Sequence, residues 1–314
     1  KYLWSDYFLK QFKMSTDKNK KKANHFKVWN ELKWVPSEKQ LAQFIHLQEL
    51  LKEWNKKCNL TRLVDGDDFW TAQVCDSLLP LHEELQYPEL SHKYIDIGSG
   101  CGFPGIAIAI AMPNSNITLL DSSSKKTTFL KEVSNEIGLN SRITVVTERA
   151  EIAGRDPILR SNFDYAIARA VASTNVVAEY LVPFLNSTGQ ALIFKGGWTE
   201  AEHQTLKKAL TELKAEIQQT QKFELPNNRG IRNIIRVSSI NKCPDLYPRS
   251  IGKPKKNRIN IGTAGGMTRL STGYTFLNIQ EHSKYIRQNI ENINKTKIFK
   301  ISKKYHLLDK IFLR

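Results

Sequence analysis

The sequence is short of cysteines and lacks any long apolar run. Its 314 residues include four cysteines, none in the C-x-x-C spacing of a zinc site, which argues against both a metal centre and a disulfide framework. No stretch reaches about 18 consecutive apolar residues, so no membrane span is expected. The seven histidines lie outside the motifs described below, and no Ser/His/Asp or Cys/His arrangement is found. We therefore expect a cytoplasmic protein without a membrane segment, a bound metal or a nucleophilic catalytic triad.

Negative charge is scarce at both ends of the chain. The formal net charge is +16, of which residues 1–33 carry +6 and residues 253–314 carry +11, so that residues 34–252 sum to −1. Basic ends suit a polyanionic partner, because neutralising phosphates releases counterions. The alternative interpretation is that both ends are solvated tails without a partner, and for the N-terminal end the sequence favours neither interpretation over the other.

The most informative stretch covers residues 94–104. A short β-branched run contains Asp96 and leads into a glycine loop. Three alternating glycines make up this loop: Gly98, Gly100 and Gly102. Such a loop lets the backbone approach a ligand where a Cβ atom would collide. A second apolar run, Ile117–Leu120, is followed by Asp121. A glycine loop after the first strand and an acid at the tip of the second predict a nucleoside site in a doubly wound sheet.

Strands and helices alternate from residue 94 onward, which predicts a largely parallel sheet covered on both faces. Ser37 and Gln40 form a capping-box pattern that begins an amphipathic helix ahead of the sheet. Gly138 is placed to end a helix in the left-handed conformation. We predict strands at 94–97, 117–120, 143–147, 165–168 and 190–194, an antiparallel edge strand at 231–237, and helices at 69–85, 105–112, 125–137, 174–185 and 200–218.

The glycine loop alone leaves the ligand open. The stretch from Gly100 to Gly105 also satisfies G-x-G-x-x-G, the dinucleotide fingerprint, so a nicotinamide-dependent dehydrogenase is one candidate. Two observations count against it: the fingerprint starts two residues late, and Asp96 would repel a pyrophosphate but can hold an ammonium group. S-adenosylmethionine has an α-amino group, one ribose diol and no phosphate, so the pattern favours a methyltransferase. A non-catalytic RNA-binding module is the third hypothesis.

Further short motifs occur in a fixed order around the glycine loop. They are Asn59-Leu60-Thr61, Asp76-Ser77-Leu78, Leu119-Leu120-Asp121-Ser122, Ala150-Glu151, Ile167-Ala168-Arg169-Ala170, Lys195-Gly196 and the segment from Tyr247 to Pro254. With the glycine loop, this ordered set within residues 14–257 resembles the RsmG family, also called glucose-inhibited division protein B. The resemblance implies the class I fold of S-adenosylmethionine-dependent methyltransferases, which is Rossmann-like with a doubly wound, mostly parallel sheet. It also implies methylation of guanine N7 in bacterial 16S ribosomal RNA.

Together with the strand-end pattern, the resemblance implies a set of cofactor-binding residues. They are Asp96, Gly98, Gly100 and Gly102, Phe103 in the pocket wall, Asp121, Ser122 and Ser123 at the adenosine, Ala150 and Glu151 beside the adenine, and Arg169 at the methyl-transfer site. Three of these have structural alternatives. Asp121 can be a strand-end turn residue, Glu151 a solvated loop carboxylate, and Arg169 an ion-pair partner of Asp96 or Asp164. Gln73 stands where the family usually carries a His, so a role of that His is not transferred.

The chemistry implied by the resemblance needs few residues. Guanine N7 has an in-plane lone pair and no proton to lose, so in-line methyl transfer needs no general base, and catalysis depends on holding N7 near the methyl group. Arg169 is the candidate catalytic residue in a positioning role, where it grips an RNA phosphate or a base edge. RNA binding is assigned to Arg229, Arg232, Lys253, Lys255 and Lys256, together with the basic cluster at 18–22. The expected partner is 16S ribosomal RNA or a precursor of the small ribosomal subunit, and the expected state is a monomer.

Composition divides the chain into four parts. Residues 1–13 are an upstream extension, 14–92 a basic segment with helices, 93–257 the methyltransferase domain, and 258–314 a C-terminal extension. Within the last part, residues 261–276 resemble the late segment of flavin-dependent lycopene cyclases, without the dinucleotide-binding strand of those enzymes. A fusion or gene-boundary remnant is the favoured interpretation. A bifunctional methyltransferase–cyclase that binds a flavin is the alternative.

Overall fold

The computed structural model describes residues 27–256, with side chains up to residue 254. The predictions for the upstream extension, for the basic cluster at 18–22 and for the C-terminal extension fall outside the described residues. Residues 27–251 belong to one compact unit, and of the second unit, which begins at Gly252, the structure describes the helical turn Lys253–Lys256. No helix within residues 27–256 is long and apolar enough to cross a membrane.

Helix α1 (Glu38–Lys57) begins where the sequence predicts. Ser37 and Gln40 form the capping box, in which the Gln40 amide donates to Ser37 Oγ (3.3 Å) and the Ser37 amide donates to Gln40 Oε1 (2.8 Å). The buried face of the helix carries Phe44, Leu47 and Leu51. Gln40 Nε2 also donates to the carbonyls of Ile110 and Ala111 (2.9 and 3.1 Å), so the residue that starts the helix also ties it to the domain that follows.

The second helical segment changes its type along its length. It begins as α2 (Gly66–Phe69), continues as a π-helical stretch (Trp70–Cys75) and ends as α3 (Asp76–Leu78), followed by 3₁₀ turns at Leu79–Leu81 and Glu84–Gln86. The prediction of one helix over 69–85 is wrong beyond Leu78, because Pro80 has no amide hydrogen with which to continue the ladder. All six residues of the π-helical stretch are buried. Such stretches are rare and are frequent at functional sites.

The centre of the protein is a seven-stranded sheet with the strand order β3-β2-β1-β4-β5-β7-β6. The strands are β1 (Lys93–Ile97), β2 (Asn116–Asp121), β3 (Ile143–Thr147), β4 (Phe163–Arg169), β5 (Leu185–Lys195), β6 (Ala215–Glu224) and β7 (Ile231–Ser239). The first five strands are parallel, β7 is antiparallel to β5, and β6 is antiparallel to β7. This confirms the predicted doubly wound, mostly parallel sheet.

Helices cover both faces of the sheet and bury an apolar cluster on each face. They are α4 (Gly105–Ala111), α5 (Ser124–Glu136), α6 (Ala150–Ala153), α7 (Thr174–Leu181) and α8 (Glu200–Leu213). One cluster packs Ile106 and Phe129 from α4 and α5 under α1, and the other packs Tyr180 and Leu210 from α7 and α8. Gly138 follows α5 with φ +70°, as the sequence predicts.

Four predictions about the C-terminal half are wrong. Helix α8 ends at Leu213 and not at residue 218, because Lys214 adopts the left-handed conformation (φ +58°) and turns the chain into β6. Strand β7 is not the edge of the sheet, since β6 pairs with its outer side. Helix α7 ends at Leu181, shortly before Pro183, and β5 begins at Leu185, ahead of the predicted start at residue 190.

Candidate active site

The predicted site residues meet where three neighbouring parallel strands end. Asp96 of β1 pairs with residues of β2 and β4 that lie two positions before Asp121 and Arg169. Asp121 and Arg169 are therefore level with Gly98, the first residue of the glycine loop. In open α/β sheets, ligands bind in the crevice at this edge.

The glycine loop needs a backbone conformation that suits glycine. Its residues Gly98, Gly100 and Gly102 have φ values of +74°, +58° and +91°. The amides of Gly98 and of the next residue donate to the Leu120 carbonyl (2.7 and 3.1 Å), which fastens the loop to β2. A Cβ atom at Gly98 would lie 2.9 Å from Val171 Cγ2, so the chain after β4 passes closely over this position.

Phe103 is buried at the far end of the glycine loop. Its ring lies edge-to-face against Phe69, with centroids 5.9 Å apart, and Phe69 in turn contacts Trp70 at 5.0 Å. These aromatic contacts connect the loop to the π-helical stretch. The assignment of Phe103 to the pocket wall stays a prediction.

Asp96 is a buried acid with an unused oxygen. The residue is 1% exposed, and its Oδ2 accepts a hydrogen bond from the Gly105 amide (3.0 Å). Its Oδ1 is buried and has no hydrogen-bond partner within residues 27–256. Burial raises the pKa of Asp96 to about 7, although the Gly105 amide and the charge of Arg169 limit the rise. A buried carboxylate with one free oxygen is suited to a cationic donor, because an unpaired polar group is costly to bury.

Both oxygens of Asp121 are used by the chain itself. Oδ2 accepts from the Gly100 amide and Oδ1 from the Ser123 amide, each at 2.9 Å, and Lys126 Nζ lies 3.7 Å from Oδ2. These contacts agree with the alternative interpretation of Asp121 as a strand-end turn residue, since its carboxylate joins the glycine loop to the start of α5. Each oxygen keeps a further lone pair, so the role toward an adenosine stays a prediction. Ser122 is exposed and Ser123 is half-buried beside it.

Glu151 is not a solvated loop carboxylate, so that alternative interpretation is wrong. It lies in α6, is 2% exposed, and its Oε1 accepts from the Tyr180 hydroxyl (3.1 Å) and from Arg149 Nη2 (3.0 Å). Burial, and then the Glu151 carboxylate, raise the pKa of the Tyr180 hydroxyl. Ala150, one residue earlier, is half-buried. A cavity of about 430 Å³ lies beside α6 and is lined by Glu151, Ile152, Arg155, Ser250 and Ile251.

Two arginines that the sequence did not identify hold the segment 243–251 against the domain. Arg155 donates to three backbone carbonyls of this segment (2.8, 2.9 and 3.4 Å), and Arg160 donates to three others (2.7, 2.8 and 3.1 Å). Within the segment, Arg249 pairs with the buried Glu179 of α7 at 2.6 Å. The motif that begins at Tyr247 thereby becomes a wall of the cavity beside α6.

Arg169 pairs with Asp76, so the proposed alternatives of an ion pair with Asp96 or Asp164 are wrong. Its Nη1 lies 3.1 Å from Asp76 Oδ2 and also donates to the Ala72 carbonyl (3.0 Å). In the part of the chain that the structure describes, Arg169 makes no ion pair with the other two acids. This pairing could not be predicted from the sequence, because Asp76 lies 93 positions away and no local pattern links the two residues.

Gln73 also holds Arg169. It is buried in the π-helical stretch, and its Oε1 accepts from Arg169 Nη2. Its Nε2 donates to Thr61 Oγ1 (3.2 Å) and lies 3.7 Å from Cys101 Sγ. A carboxamide does not exchange a proton at neutral pH, so this position orients an arginine and performs no acid–base step.

The arginines predicted to bind RNA contact acids of the helical segment before the sheet. Arg232 Nε lies 2.9 Å from Asp76 Oδ1, so Arg232 shares this carboxylate with Arg169. Arg229 pairs with Asp68. The structure therefore brings Arg232 and Arg169 together, and it places Arg229 on a different acid.

The lysines predicted to bind RNA lie in the second unit. Lys253 is exposed, while for Lys255 and Lys256 the structure describes the backbone. Their assignment stays a prediction. Between residues 27 and 256, no group of three His, Cys, Asp or Glu side chains is placed to hold a metal ion.

The chain is similar to proteins of one family. The family model described as GidB, rRNA small subunit methyltransferase G, matches residues 40–234. A ribosomal RNA small subunit methyltransferase G from Prochlorococcus marinus (strain NATL1A) is 86% identical over 243 residues, which cover 77% of this chain and 98% of that protein. The protein of the same name from another strain of Prochlorococcus marinus is 50% identical over 252 residues, which cover 80% of this chain and 100% of that protein.

Among solved structures, a ribosomal protein L11 methylase from Lactobacillus delbrueckii subsp. bulgaricus is similar with a TM-score of 0.40 and 18% identity, over 54% of this chain and 79% of that chain. The sequence matches extend over most of this chain and nearly all of the relatives, and they confirm the resemblance described above. The protein belongs to the rRNA small subunit methyltransferase G family, the RsmG family.

Proposed function

We propose that this protein transfers a methyl group from S-adenosylmethionine to N7 of one guanine in bacterial 16S ribosomal RNA. Membership of its family makes it a methyltransferase of small-subunit ribosomal RNA. The methyl donor and the residues that bind it are inferred from the site. The observation that carries the inference is Asp96, a buried carboxylate with one unpartnered oxygen just before the glycine loop.

The residues at the edge of β1 and β2 fit S-adenosylmethionine. Asp96 Oδ1 accepts the α-ammonium group, a donor that this buried oxygen lacks among the described residues. Asp121 accepts the ribose hydroxyls, and Ala150 and Glu151 flank the adenine. A dinucleotide fits less well, because its pyrophosphate would bring negative charge against the buried carboxylates of Asp96 and Asp121.

Catalysis in this proposal is positioning. S-adenosylmethionine supplies a methyl group bonded to a cationic sulfur. Guanine N7 has a lone pair and no proton, so no residue acts as a general base, and good orientation is worth up to about 7–11 kcal/mol in model systems. Positive charge moves onto the purine during transfer, so an uncompensated cation facing the base would oppose it. Arg169 is paired with Asp76, so its positive charge is compensated. It can therefore position RNA without opposing the positive charge that forms on the purine.

The RNA must present its guanine out of a regular helix. In A-form RNA the N7 atom lies in a deep, narrow major groove that side chains do not reach, so the target is unpaired or extruded. We assign phosphate contacts along the strand to Arg229, Arg232, Lys253, Lys255 and Lys256. The protein acts as a monomer in the cytoplasm, on 16S ribosomal RNA or on a precursor of the small subunit.

Methyl transfer to 16S ribosomal RNA from cells that lack the modification tests the proposal. Borohydride reduction followed by aniline cleaves RNA at 7-methylguanosine, so the site can be mapped to one nucleotide. We expect one cleavage site and one methyl group per RNA molecule. Methylation of another atom, or of many guanines, would contradict the proposal.

The methyl donor site is tested with a matched pair of variants. Asp96→Asn removes the buried charge, while Asp65→Asn removes a surface acid of the same size, which pairs with Lys52. We expect calorimetry to show at least about tenfold weaker binding of S-adenosylmethionine for the first variant and no change for the second. Titration with NAD tests the dehydrogenase alternative, and binding of NAD in preference to the methyl donor would overturn the cofactor assignment.

A further inference from the structure

We propose that Asp76 is a positioning residue, which joins Arg169 and Arg232 into one subsite for a phosphodiester of the substrate RNA. The inference rests on the proposed function and adds to it where the RNA strand is held. Asp76 belongs to α3, directly after the π-helical stretch, and it is 5% exposed. No acid–base or cofactor role has been assigned to it above.

Asp76 holds the two arginines with different oxygens. Its Oδ2 lies 3.1 Å from Arg169 Nη1, and its Oδ1 lies 2.9 Å from Arg232 Nε. Two guanidinium groups therefore face one carboxylate, and the cluster has a net charge of +1. One arginine would neutralise this buried acid, so the second leaves an excess of positive charge that favours an anion.

The cluster is fixed before any ligand arrives. Arg169 is held by the Ala72 carbonyl (3.0 Å) and by Gln73 Oε1, both in the π-helical stretch. Arg232 is held by Asp76 and by its own neighbour, the Ile231 carbonyl (3.1 Å). Because the side chains are already ordered, binding an anion costs less conformational entropy than it would for free surface arginines.

Each arginine keeps donors for a ligand. Arg169 Nε and Arg232 Nη2 donate no hydrogen bond to any group of residues 27–256. The side chains are 16% and 27% exposed, so solvent or a ligand reaches both. The planar guanidinium group matches the geometry of phosphate oxygens, and charge-assisted bonds of this kind are strong.

The position of the cluster suits the strand that carries the target base. Arg169 ends β4, and Arg232 is the second residue of β7, with β5 between these two strands. The antiparallel pairing of β7 with β5 brings Arg232 to the same carboxyl edge at which β4 ends. Arg169 is level with Gly98 on the neighbouring strand, so a phosphate held here places its nucleotide beside the methyl-donor site.

Three variants, with one control, test the proposal in methyl transfer and RNA binding at several salt concentrations. Arg232→Gln removes one donor of the subsite, Arg232→Lys keeps the charge without the planar group, and Asp76→Asn keeps the shape without the carboxylate. The control Lys52→Gln removes a cation from a surface pair with Asp65. Binding of S-adenosylmethionine is measured for every variant and stays unchanged if the proposal is right.

For Arg232→Gln we expect the KM for RNA to rise about tenfold. We also expect the magnitude of the slope of log affinity against log salt to decrease by about one, which corresponds to the loss of one phosphate contact. Arg232→Lys restores the salt slope but not the KM. Asp76→Asn adds a net positive charge, so simple attraction predicts tighter RNA binding. The positioning role instead predicts that kcat/KM for RNA falls at least about tenfold while RNA binding at low salt does not weaken.

A KM and a salt slope for Arg232→Gln that match those of Lys52→Gln would overturn the proposal. An Asp76→Asn protein with unchanged kcat/KM and an unchanged melting temperature would overturn it as well. If Asp76→Asn fails to fold, the two Arg232 variants decide the matter. Failure of the wild-type protein to methylate RNA would overturn the proposed function, whereas the salt slopes for RNA binding still report on the subsite.

Discussion

In the proposed cofactor site, the pKa of Asp96 makes binding of the α-ammonium group depend on pH in the physiological range. Burial raises this pKa to about 7 in the free protein, so about half of the molecules carry the neutral acid at pH 7. An ammonium group binds the ionised carboxylate, and the apparent affinity scales with the ionised fraction. This fraction is about nine-tenths at pH 8 and about one-tenth at pH 6. The apparent dissociation constant should therefore rise about tenfold between pH 8 and pH 6.

Calorimetry with S-adenosylhomocysteine, which keeps the α-ammonium group but has no methyl to transfer, measures the effect. Below pH 7, binding to the wild-type protein should release a proton from Asp96, which appears as a dependence of the binding heat on the ionisation enthalpy of the buffer. At higher pH the ligand loses its own ammonium proton, so affinity falls again and the optimum lies between the pKa of Asp96 and that of the ligand's ammonium group.

The Asp96→Asn variant separates the acid from the rest of the site. This variant should bind S-adenosylhomocysteine weakly at every pH. Its affinity should no longer fall toward low pH, but it should still fall at high pH, where the ligand loses its ammonium proton. A wild-type affinity that is flat from pH 6 to pH 8 would refute the assignment of the ammonium group to Asp96. An Asn variant with wild-type affinity would do the same.

Three further predictions concern stability. The pKa of Asp96 is higher in the folded than in the unfolded protein, so its contribution to the free energy of unfolding is present below about pH 4 and is lost as the pH rises through 7. Urea titrations at pH 4.5 and pH 8 should therefore show a larger decrease in the free energy of unfolding for the wild type than for Asp96→Asn. Gly98→Ala places a Cβ atom 2.9 Å from a neighbouring side chain at a residue with φ +74°. It should lower stability more than Gly138→Ala, where φ is +70° and no atom lies near the new Cβ. Equal urea midpoints for the two variants would show that the close contact at Gly98 does not exist. Arg249→Leu removes the ion-pair partner of the buried Glu179, to which the backbone amide at position 249 still donates (2.7 Å), and should lower the free energy of unfolding by about 3 kcal/mol. A smaller loss on the double change with Glu179→Leu would show that the charge without a counter-ion is the cause.

The parts of the site that follow from local chemistry could be predicted from the sequence. Three features can each be recognised from neighbouring residues in the sequence: the run into Asp96, the three loop glycines and the acid at the end of β2. The structure brings all three to one edge of the sheet. The capping box of Ser37 and Gln40 is another, because its two hydrogen bonds form between residues three apart. Strand β3 has the predicted bounds, since its β-branched run follows the turn residues Asn140 and Ser141 and ends before Glu148, a residue type that is depleted in strands.

The partners of Arg169 could not be predicted, because they depend on long-range packing. The chain has 31 acidic residues, and nothing near Asp76 in the sequence marks it as the one that meets β4 and β7. Glu151 was open to a surface interpretation for the same reason. Its burial depends on Tyr180, which comes from α7 and is not a sequence neighbour.

The first residues of strand β6 were assigned to the preceding helix because their sequence resembles it. Polar residues dominate from Gln218 to Gln221, and the periodicity of α8 continues through residue 217 without a Gly or Pro to end it. The stop is Lys214 in the left-handed conformation, which costs a residue with a Cβ atom roughly 1 kcal/mol and is stabilised here by the pairing of β6 with β7. Tertiary pairing outweighs local propensity at this point.

The strand order separates the two ligands of the proposed reaction. From β2 across β1 the edge carries the buried acids Asp121 and Asp96, whereas from β4 across β5 to β7 it carries Arg169 and Arg232. In the proposed reaction, a donor with an ammonium group and a cationic sulfur and a polyanionic acceptor are thereby attracted to opposite sides of one boundary, between β1 and β4. Since Asp76 balances part of the arginine charge, the excess left over is small enough not to oppose the cation that forms on the purine. In the proposed reaction, attraction between the fixed charges and their ligands therefore directs N7 toward the methyl group, and this orientation is the whole of catalysis because no proton has to be moved.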